Sequence, residues 1–558
     1  MRAPEREPEA KPAGLGTLLR TVAPLGPSRI LSRGLRPARA WSRRLLHVAG
    51  AGPGILPWRA RAVPLWPAHE ETWSPPARFR FLGTERDLGN LRDWRHPGSR
   101  LWSYHLHYLD GLRQADVPAA ERLRLLEAWV AGNPPGTRPA WEPYPTALRL
   151  VNALAFLSAS GREPSPDVLA SLSRQAWWLA GTLEWDVGAN HLWKNALALA
   201  WAGRLLGGEA AARWRRRGDA LLRRELRRQV LADGFHYERT PTYHALLVED
   251  LLRLDSLLEG EEGPLRAEVR DALVRTGAAL ATVLHPDGEI ALLNDSAFGQ
   301  APSGDALVGA ASARVGCRLE ALQGGLPQAG ILRLECQGTV LFFDVGDTGD
   351  RRQPGHAHAD TLTLELSMDG RRVVVDAGVH DYEGGALRRY ARGTLAHNTV
   401  VIDDADQSEM WDVFRVGRRA RPLEVKVGRK DGLPWASAAH DGYRGLPGSP
   451  LPRRTIEGLP GGVFRIHDEV TGAGAHRVRS SLRVHPALTA HLVDGNRVTL
   501  EGEGLRLVVV RESGPTFSLE DGWYFPRMGE RRECPVVVQR SEVVLPASLA
   551  VRIERLPR

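Results

Sequence analysis

The chain has 558 residues, with 74 Lys and Arg against 66 Asp and Glu, for a formal net charge of +8. That length accommodates two or three domains with sizeable cores, and the basic balance favours an anionic partner. Three scattered cysteines, Cys317, Cys336 and Cys534, exclude a disulfide framework or a zinc ribbon; no apolar run is long enough to predict a transmembrane segment, and no zinc-finger or helix-turn-helix spacing supports a nucleic-acid partner.

In chain order, residues 1–85 read as a basic, Pro- and Arg-rich segment, partly disordered. MRAPEREPEAKPAG and RGLRPARAWSRRLLHVAGAGPG lack the apolar core of a signal peptide. Residues 86–310 read as a helical domain. VPAAERLRLLEAWVAG, TALRLVNALAFLSASG, VLASLSRQAWWLAGTLEW and GDALLRRELRRQVLADG each close near Gly or Asn, and antiparallel pairs of such helices suggest an α/α toroid or incomplete barrel. In GANHLWKNALALAWAG a helix follows Gly188, with His191 and Asn195 four apart on one face. Asn190 stands at its start, where an N-cap and a functional amide are equally good readings. In DGFHYERTPTYHALLVEDLLRL, Asp233 and Gly234 signal a turn and Pro241 a helix entry. Tyr243, Leu246, Leu247 and Asp250 share a stripe there, and by pattern alone the Tyr243 phenol points more readily into a core than into a cleft.

The Pro/Gly-rich stretch near 299–330 marks a boundary, and short runs punctuated by Asp-Gly and Gly turns take over across 330–558. TVLFFDV, TLTLELSM, RRVVVDAG, VFRIHDEV and LRLVVVRE predict an antiparallel β-sandwich. Within it, residues 355–409 gather three histidines and several carboxylates. His356 and His358 project from one face of an extended chain. Asp376 follows Val373–Val375, and His397 precedes Thr399–Ile402. Two imidazoles and a carboxylate, His358, His397 and Asp376, are a competent ligand set for zinc. A two-residue turn at Asp369 and Gly370 places Asp376 opposite Thr363, so a straight strand separates it from His358 by roughly 17 Å; the metal reading requires residues 355–360 to bend back as a loop. HAHAD also begins an HxHxDH dinuclear motif, but Thr361 stands where that motif needs histidine.

The motifs LWSYHLHYLDGL (101–112), WEPYPTALRLVNAL (141–154), NHLWKNALAL (190–199), ERTPTYHALLVEDLL (238–252), LLNDSAF (292–298), GHAHADTLTLEL and AHNTVV together make a chain that resembles the heparinase II/III-like polysaccharide lyases, related to alginate and oligoalginate lyases. The resemblance covers nearly everything from about residue 90 and implies an α plus β, multidomain build, an α/α toroid followed by an antiparallel β-sandwich, with the site in a cleft between domains. It implies β-elimination on a uronic-acid-containing acidic polysaccharide. Asn190 and His191 then match carboxylate-neutralising donors, Tyr243 the acid and in some members the base, and His356 the base or charge stabiliser. His358, Asp376 and His397 match a structural zinc site, and no organic cofactor is expected.

Tyr144 and Arg149 are candidate substrate contacts, Arg149 by ionic attraction to a uronate or sulfate. Trp102, Trp141, Trp185 and Trp193 are candidate sugar-stacking platforms, although most of the 17 tryptophans read as helix packing. Lys194 departs from the glutamate of many relatives, which leaves a non-catalytic carbohydrate-binding or exopolysaccharide-assembly protein as the alternative. The resemblance implies a periplasmic or cell-envelope setting, whereas the missing leader is compatible with the cytoplasm. The sequence leaves the oligomeric state open, a dimer included.

Overall fold

The computed structural model describes residues 14–95 and 98–556. Thirteen α-helices run α1 Leu15–Val22, α2 Pro27–Gly34, α3 Arg36–Val48, α4 Arg100–Leu106, α5 Ala119–Gly132, α6 Pro143–Ser160, α7 Pro166–Gly181, α8 Ala189–Leu205, α9 Gly208–Gln229, α10 Pro241–Leu257, α11 Pro264–Thr282, α12 Gly304–Val315 and α13 Ala386–Arg392, counted among the described residues. The first three lie in the segment expected to be partly disordered, of which residues 1–13 fall outside the described residues. α12 occupies the stretch expected as an inter-domain boundary.

The chain forms two compact units. One comprises residues 25–229 and 247–273, the other 1–24, 230–246 and 274–558. The helical stretch expected to end at 310 is therefore divided, and hydrogen bonds supply the reason. The Asp233 carboxylate accepts from the Gln328 and Ala329 amides at 2.8 Å each, and His285 reaches Glu365 at 2.7 Å and Ser367 at 2.6 Å. These partners tie the turn at 233 and the end of α11 to the strands.

In the helical unit α8 is central, with nearly every residue buried, and it packs against α9, α6 and α7. Two glycines let α8 and α9 approach. A Cβ on Gly203 would lie 2.4 Å from the Arg215 amide nitrogen, and one on Gly218 would lie 2.7 Å from that of Ala200. Such contacts belong to backbones too close for any side chain. A small three-stranded sheet, β1 Trp73–Ser74, β2 Arg78–Phe81 and β3 Thr84–Asp87, completes this unit.

The second unit holds a four-stranded sheet of β4 Ile331–Cys336, β5 Thr339–Asp344, β6 Leu364–Met368 and β7 Arg371–Val374, all antiparallel. Strand β8 Val400–Ile402 edges another four-stranded sheet, and a short hairpin, β9 Met410–Trp411 with β10 Arg415–Val416, follows it. An eight-stranded sheet spans 422–555. Its strands at Leu451–Leu459 and Val463–Thr471 alternate buried and accessible residues, the period-2 signature of a sheet covered on one face. Leu341, Leu364 and Val373 of the first sheet share one buried core with Ile456, Phe464 and Ile553 of the large one. The fold class is the expected one, a helical region followed by an antiparallel sandwich.

Candidate active site and metal cluster

In the helical unit, Gly188 occupies the N-cap of α8 with φ +68° and no side-chain cap. Asn190 consequently lies inside the first turn rather than at the cap, which removes the capping explanation for it. His191 is half-buried beside it. Its ring lies 4.3 Å from that of Tyr144, and its Nδ1 lies 3.2 Å from Glu184. One turn further on, Asn195 holds Glu184 through the Glu184 amide at 2.9 Å and the Glu184 carboxylate at 3.3 Å. Burial alone would raise the Glu184 carboxyl, but His191 and Arg36 beside it hold it below the usual range. The sequence placed His191 and Asn195 on one face; the carboxylate between them comes from the preceding loop and was not foreseen.

Lys194 faces inward. Its Nζ meets Asp250 at 2.8 Å, and the other Asp250 oxygen accepts from Trp193 Nε1 at 3.0 Å. The departure at this position is therefore a buried ion pair internal to the helices. Tyr144, half-buried beside His191, stays a candidate for substrate contact. Arg149 does not: it is fully buried, donating to Gln175 at 3.0 Å and the His107 carbonyl at 2.9 Å, with its guanidinium 3.7 Å from the Trp129 ring centre. Its expected role in binding substrate is corrected to one of holding α6. Arg149→Met should lower stability by about 2–3 kcal/mol and leave KM unchanged, as denaturant unfolding and initial rates can establish. A raised KM with unchanged stability would reverse this assignment. Trp102, Trp141 and Trp193 are likewise buried helix-packing residues, while Trp185 is partly accessible.

In the β-rich unit Tyr243 and His356 come together. Their ring centres are 4.1 Å apart with a 33° tilt, and Tyr243 Oη lies 3.1 Å from Tyr382 Oη. Pro241 opens α10 as expected and leaves Tyr243 half-buried in its first turn. His356 Nδ1 lies 2.9 Å from Asp295, and its Nε2 lies 3.7 Å from Glu238. An ionised carboxylate only accepts, so Nδ1 carries the proton toward Asp295 and Nε2 keeps its lone pair in the neutral ring.

Asp295 is the hub of this unit. It accepts from His356, from His358 Nε2 at 2.8 Å and from both terminal nitrogens of Arg388, one of them at 2.9 Å. Burial would raise its carboxyl, but the Arg388 guanidinium and the two histidine hydrogen bonds hold it well below the usual carboxylate range. The residues around it form a clasp: Asn294, at φ +57°, accepts the His358 amide at 3.0 Å, and the Asp295 amide donates to the His356 carbonyl at 3.1 Å. Asp295 lies in the motif LLNDSAF, yet nothing in its spacing assigned it a partner. Glu238, Tyr382 and Arg388 were missed as well, because they reach the site from sequence positions far from 356.

Residues 355–360 do bend back as a loop before β6. The turn at Asp369 and Gly370 is also as expected, but a bulge shifts the hairpin by one, pairing Val374 with Leu366. The ligand set that results differs from the expected one. His358, Asp360 and His397 gather, each offering one atom, with all three atoms within 4.8 Å of one another. Asp376 instead lies behind His397, accepting from its Nδ1 at 2.9 Å, and also accepts from Thr363 at 2.9 Å. The expected place of Asp376 beside the two imidazoles is thus corrected to Asp360; the loop turns Asp360 inward, while Asp376 is spent on orienting an imidazole.

The donor chemistry fits a cation. With Nε2–H toward Asp295 and Nδ1–H toward Asp376 in the neutral rings, His358 Nδ1 and His397 Nε2 are the atoms left to face a cation. Those two nitrogens and Asp360 Oδ2 are buried without a hydrogen-bond partner. Burial pushes the Asp360 carboxyl up to about 6 against the pull of His397, a cost that a cation would remove. A histidine backed by a carboxylate is the usual arrangement around protein-bound zinc.

Two known families match this chain. Heparinase II/III N-terminus matches residues 125–304, and Heparinase II/III-like, C-terminal matches residues 321–550. A heparin-sulfate lyase of Bacteroides stercoris is 22% identical over 499 residues, covering 82% of this chain and 70% of that protein. The crystal structure of heparinase III superposes with TM-score 0.66 at 17% identity over 83% of this chain and 78% of that one. A heparan sulfate lyase mutant from Pedobacter heparinus superposes with TM-score 0.61 at 18% identity, covering 98% and 92%. These superpositions carry the fold expected from sequence, an α/α toroid followed by a β-sandwich.

Proposed function

Because the chain belongs to the heparinase II/III-like family, we propose that it is a polysaccharide lyase cleaving a uronic-acid-containing acidic polysaccharide by β-elimination. The observation that carries this reading is the close, tilted Tyr243 and His356 pair, with His356 Nδ1 2.9 Å from Asp295 so that Nε2 is the nitrogen free to act as base in the neutral ring.

Elimination takes the proton from C5 of the uronate, moves that electron pair into a C4–C5 double bond, and releases the C4 oxygen, which takes up a proton. No water enters. Charge accumulates on the uronate carboxylate as the proton leaves, so donors must meet it there. Asn190 and His191 fill that role in this reading, with Glu184 and Asn195 fixing the imidazole. Tyr243 protonates the leaving oxygen; an ordinary phenol keeps its proton at neutral pH, which suits an acid. His356 Nε2 is the base in this reading. Lys194 does not argue for a lost activity, since its charge is consumed by Asp250.

Incubating the protein with heparan sulfate, alginate and other uronate polymers, and following the ultraviolet absorbance of the conjugated unsaturated uronate, tests the reading. A rise with one polymer supports it, and silence across the panel from folded, metal-replete protein removes it. The heparin-sulfate lyases among the relatives make sulfated glycosaminoglycans the first to try.

Zinc would be held by His358, Asp360 and His397, where it would fasten the 355–360 loop to the start of β8 as a structural ion. His358→Ala should cut bound zinc, read by elemental analysis, and lower Tm by several degrees. Unchanged zinc stoichiometry would remove the metal assignment.

A further inference from the structure

A concavity of about 210 Å³ opens in the helical unit, lined by Arg36 and Arg39 of α3, Arg100 of α4 and Arg138 of the loop before α6, with Trp141 and Trp178 among its walls. Its one acidic lining residue, Glu142, is taken by Arg100 at 2.9 Å and by the Tyr104 hydroxyl. Arg39 donates to Ser32, and neither Arg39 nor Arg138 pairs with a carboxylate among the described residues. The two indoles meet edge to face at 5.6 Å and are themselves buried, a rigid floor beneath excess positive charge. Guanidinium forks held over a rigid floor are the composition that recognises a carboxylate or sulfate ester.

The concavity is joined to the proposed chemistry through one carboxylate. Arg36 lies 3.3 Å from Glu184 and 3.4 Å from Asp186, and Glu184 also lies 3.2 Å from His191. α3 is further held by Arg43, 4.5 Å over the ring of Trp177. α3 and α4 lie outside both segments matched by the family, so three of the four arginines come from a part of the chain the family match does not reach.

We propose that this concavity is a subsite for an anionic sugar unit, taking its carboxylate or sulfate ester, next to the unit that meets Asn190 and His191. The assignment rests on the lyase reading and adds to it where a neighbouring unit of the polymer is gripped.

The test is binding, measured by tryptophan fluorescence on full-length Tyr243→Phe protein, so that no probe is consumed. The probes are a heparin tetrasaccharide and an oligoalginate of the same length, which separate sulfate from carboxylate recognition. Arg39→Ala/Arg138→Ala should bind at least one of them about tenfold more weakly, whereas Arg39→Lys/Arg138→Lys should keep most of the affinity. Arg228→Ala, on the exposed basic face of α9, should bind as the parent does. Parental affinity in the double alanine variant, an equal loss in Arg228→Ala, or no binding of either probe by the parent would each overturn the subsite. The lyase reading fails separately, if wild-type protein binds a probe yet generates no ultraviolet-absorbing product from any polymer.

Discussion

Tyr243→Phe should lower kcat for elimination by about 10³-fold, within the range ordinarily lost with a general acid, while changing folding stability by less than about 1 kcal/mol. Phenylalanine preserves the ring that lies 4.1 Å from His356, so packing survives and only the hydroxyl that meets Tyr382 is removed. Tyr382 cannot readily replace it. Its own phenol is pushed well above the usual value, first by burial and then by the Asp295 charge, so it holds its proton too tightly to give it up to a leaving oxygen. Steady-state rates from the ultraviolet signal, with circular dichroism as the folding control, decide the matter. Wild-type turnover by a folded Tyr243→Phe protein would take the acid role from Tyr243.

Asp295→Ala should be the most damaging single change in the β-rich unit, costing about 3–5 kcal/mol because it leaves the Arg388 guanidinium buried without its counter-charge. It also releases His356 and His358 together, so any protein that folds should show both a lowered kcat and weakened zinc binding. The double variant Asp295→Ala/Arg388→Met should recover part of the stability and none of the activity, which separates the buried-charge cost from the loss of imidazole orientation. The same group shapes the acid limb. Its folded pKa is depressed, so its contribution is fully present above the unfolded carboxylate value of about 3.9 and is lost as pH falls through the folded one. Acid unfolding followed by fluorescence should therefore be less steep in Asp295→Asn than in wild type. Equal acid profiles, or a stable Asp295→Ala protein with normal kcat, would contradict the hub role.

The elements that were legible in sequence are those whose information is local. Helical spacing and Gly or Asn stops gave α5 to α8, Pro241 gave the start of α10, and Asp369 with Gly370 gave the turn between β6 and β7. The histidine cluster was legible from its spacing, whereas Tyr243, which reads as a core residue by pattern alone, was singled out only by the resemblance to a family. The neighbours of these groups were not. Glu184, Asp295, Tyr382 and Arg388 are ordinary polar residues in their own segments, and their roles exist only where distant segments meet.

Two corrections and one open alternative now closed show the same division. The sequence could name a charged residue at 149, but burial against Trp129 is a property of the packed helices, and it turned a substrate contact into a structural arginine. The sequence placed carboxylates at both 360 and 376, yet which one faces the two imidazole lone pairs depends on how the 355–360 loop turns, and Asn294, Arg392 and Gln407 hold that loop by hydrogen bonds to its backbone. The amide of Asn190 could be an N-cap in sequence, and it is not one because Gly188 adopts the positive φ that begins α8. By itself the sequence determined the order of helices before strands, since periodicity and turn chemistry are written residue by residue, while its motifs named the candidate reacting groups and the acidic class of partner only through resemblance to a family. Tertiary structure alone decided which carboxylate backs each imidazole of the cluster, which carboxylate joins the two histidines and the fate of each buried charge. Those depend on which acceptor lies within about 3 Å in three dimensions, and no spacing along the chain encodes that.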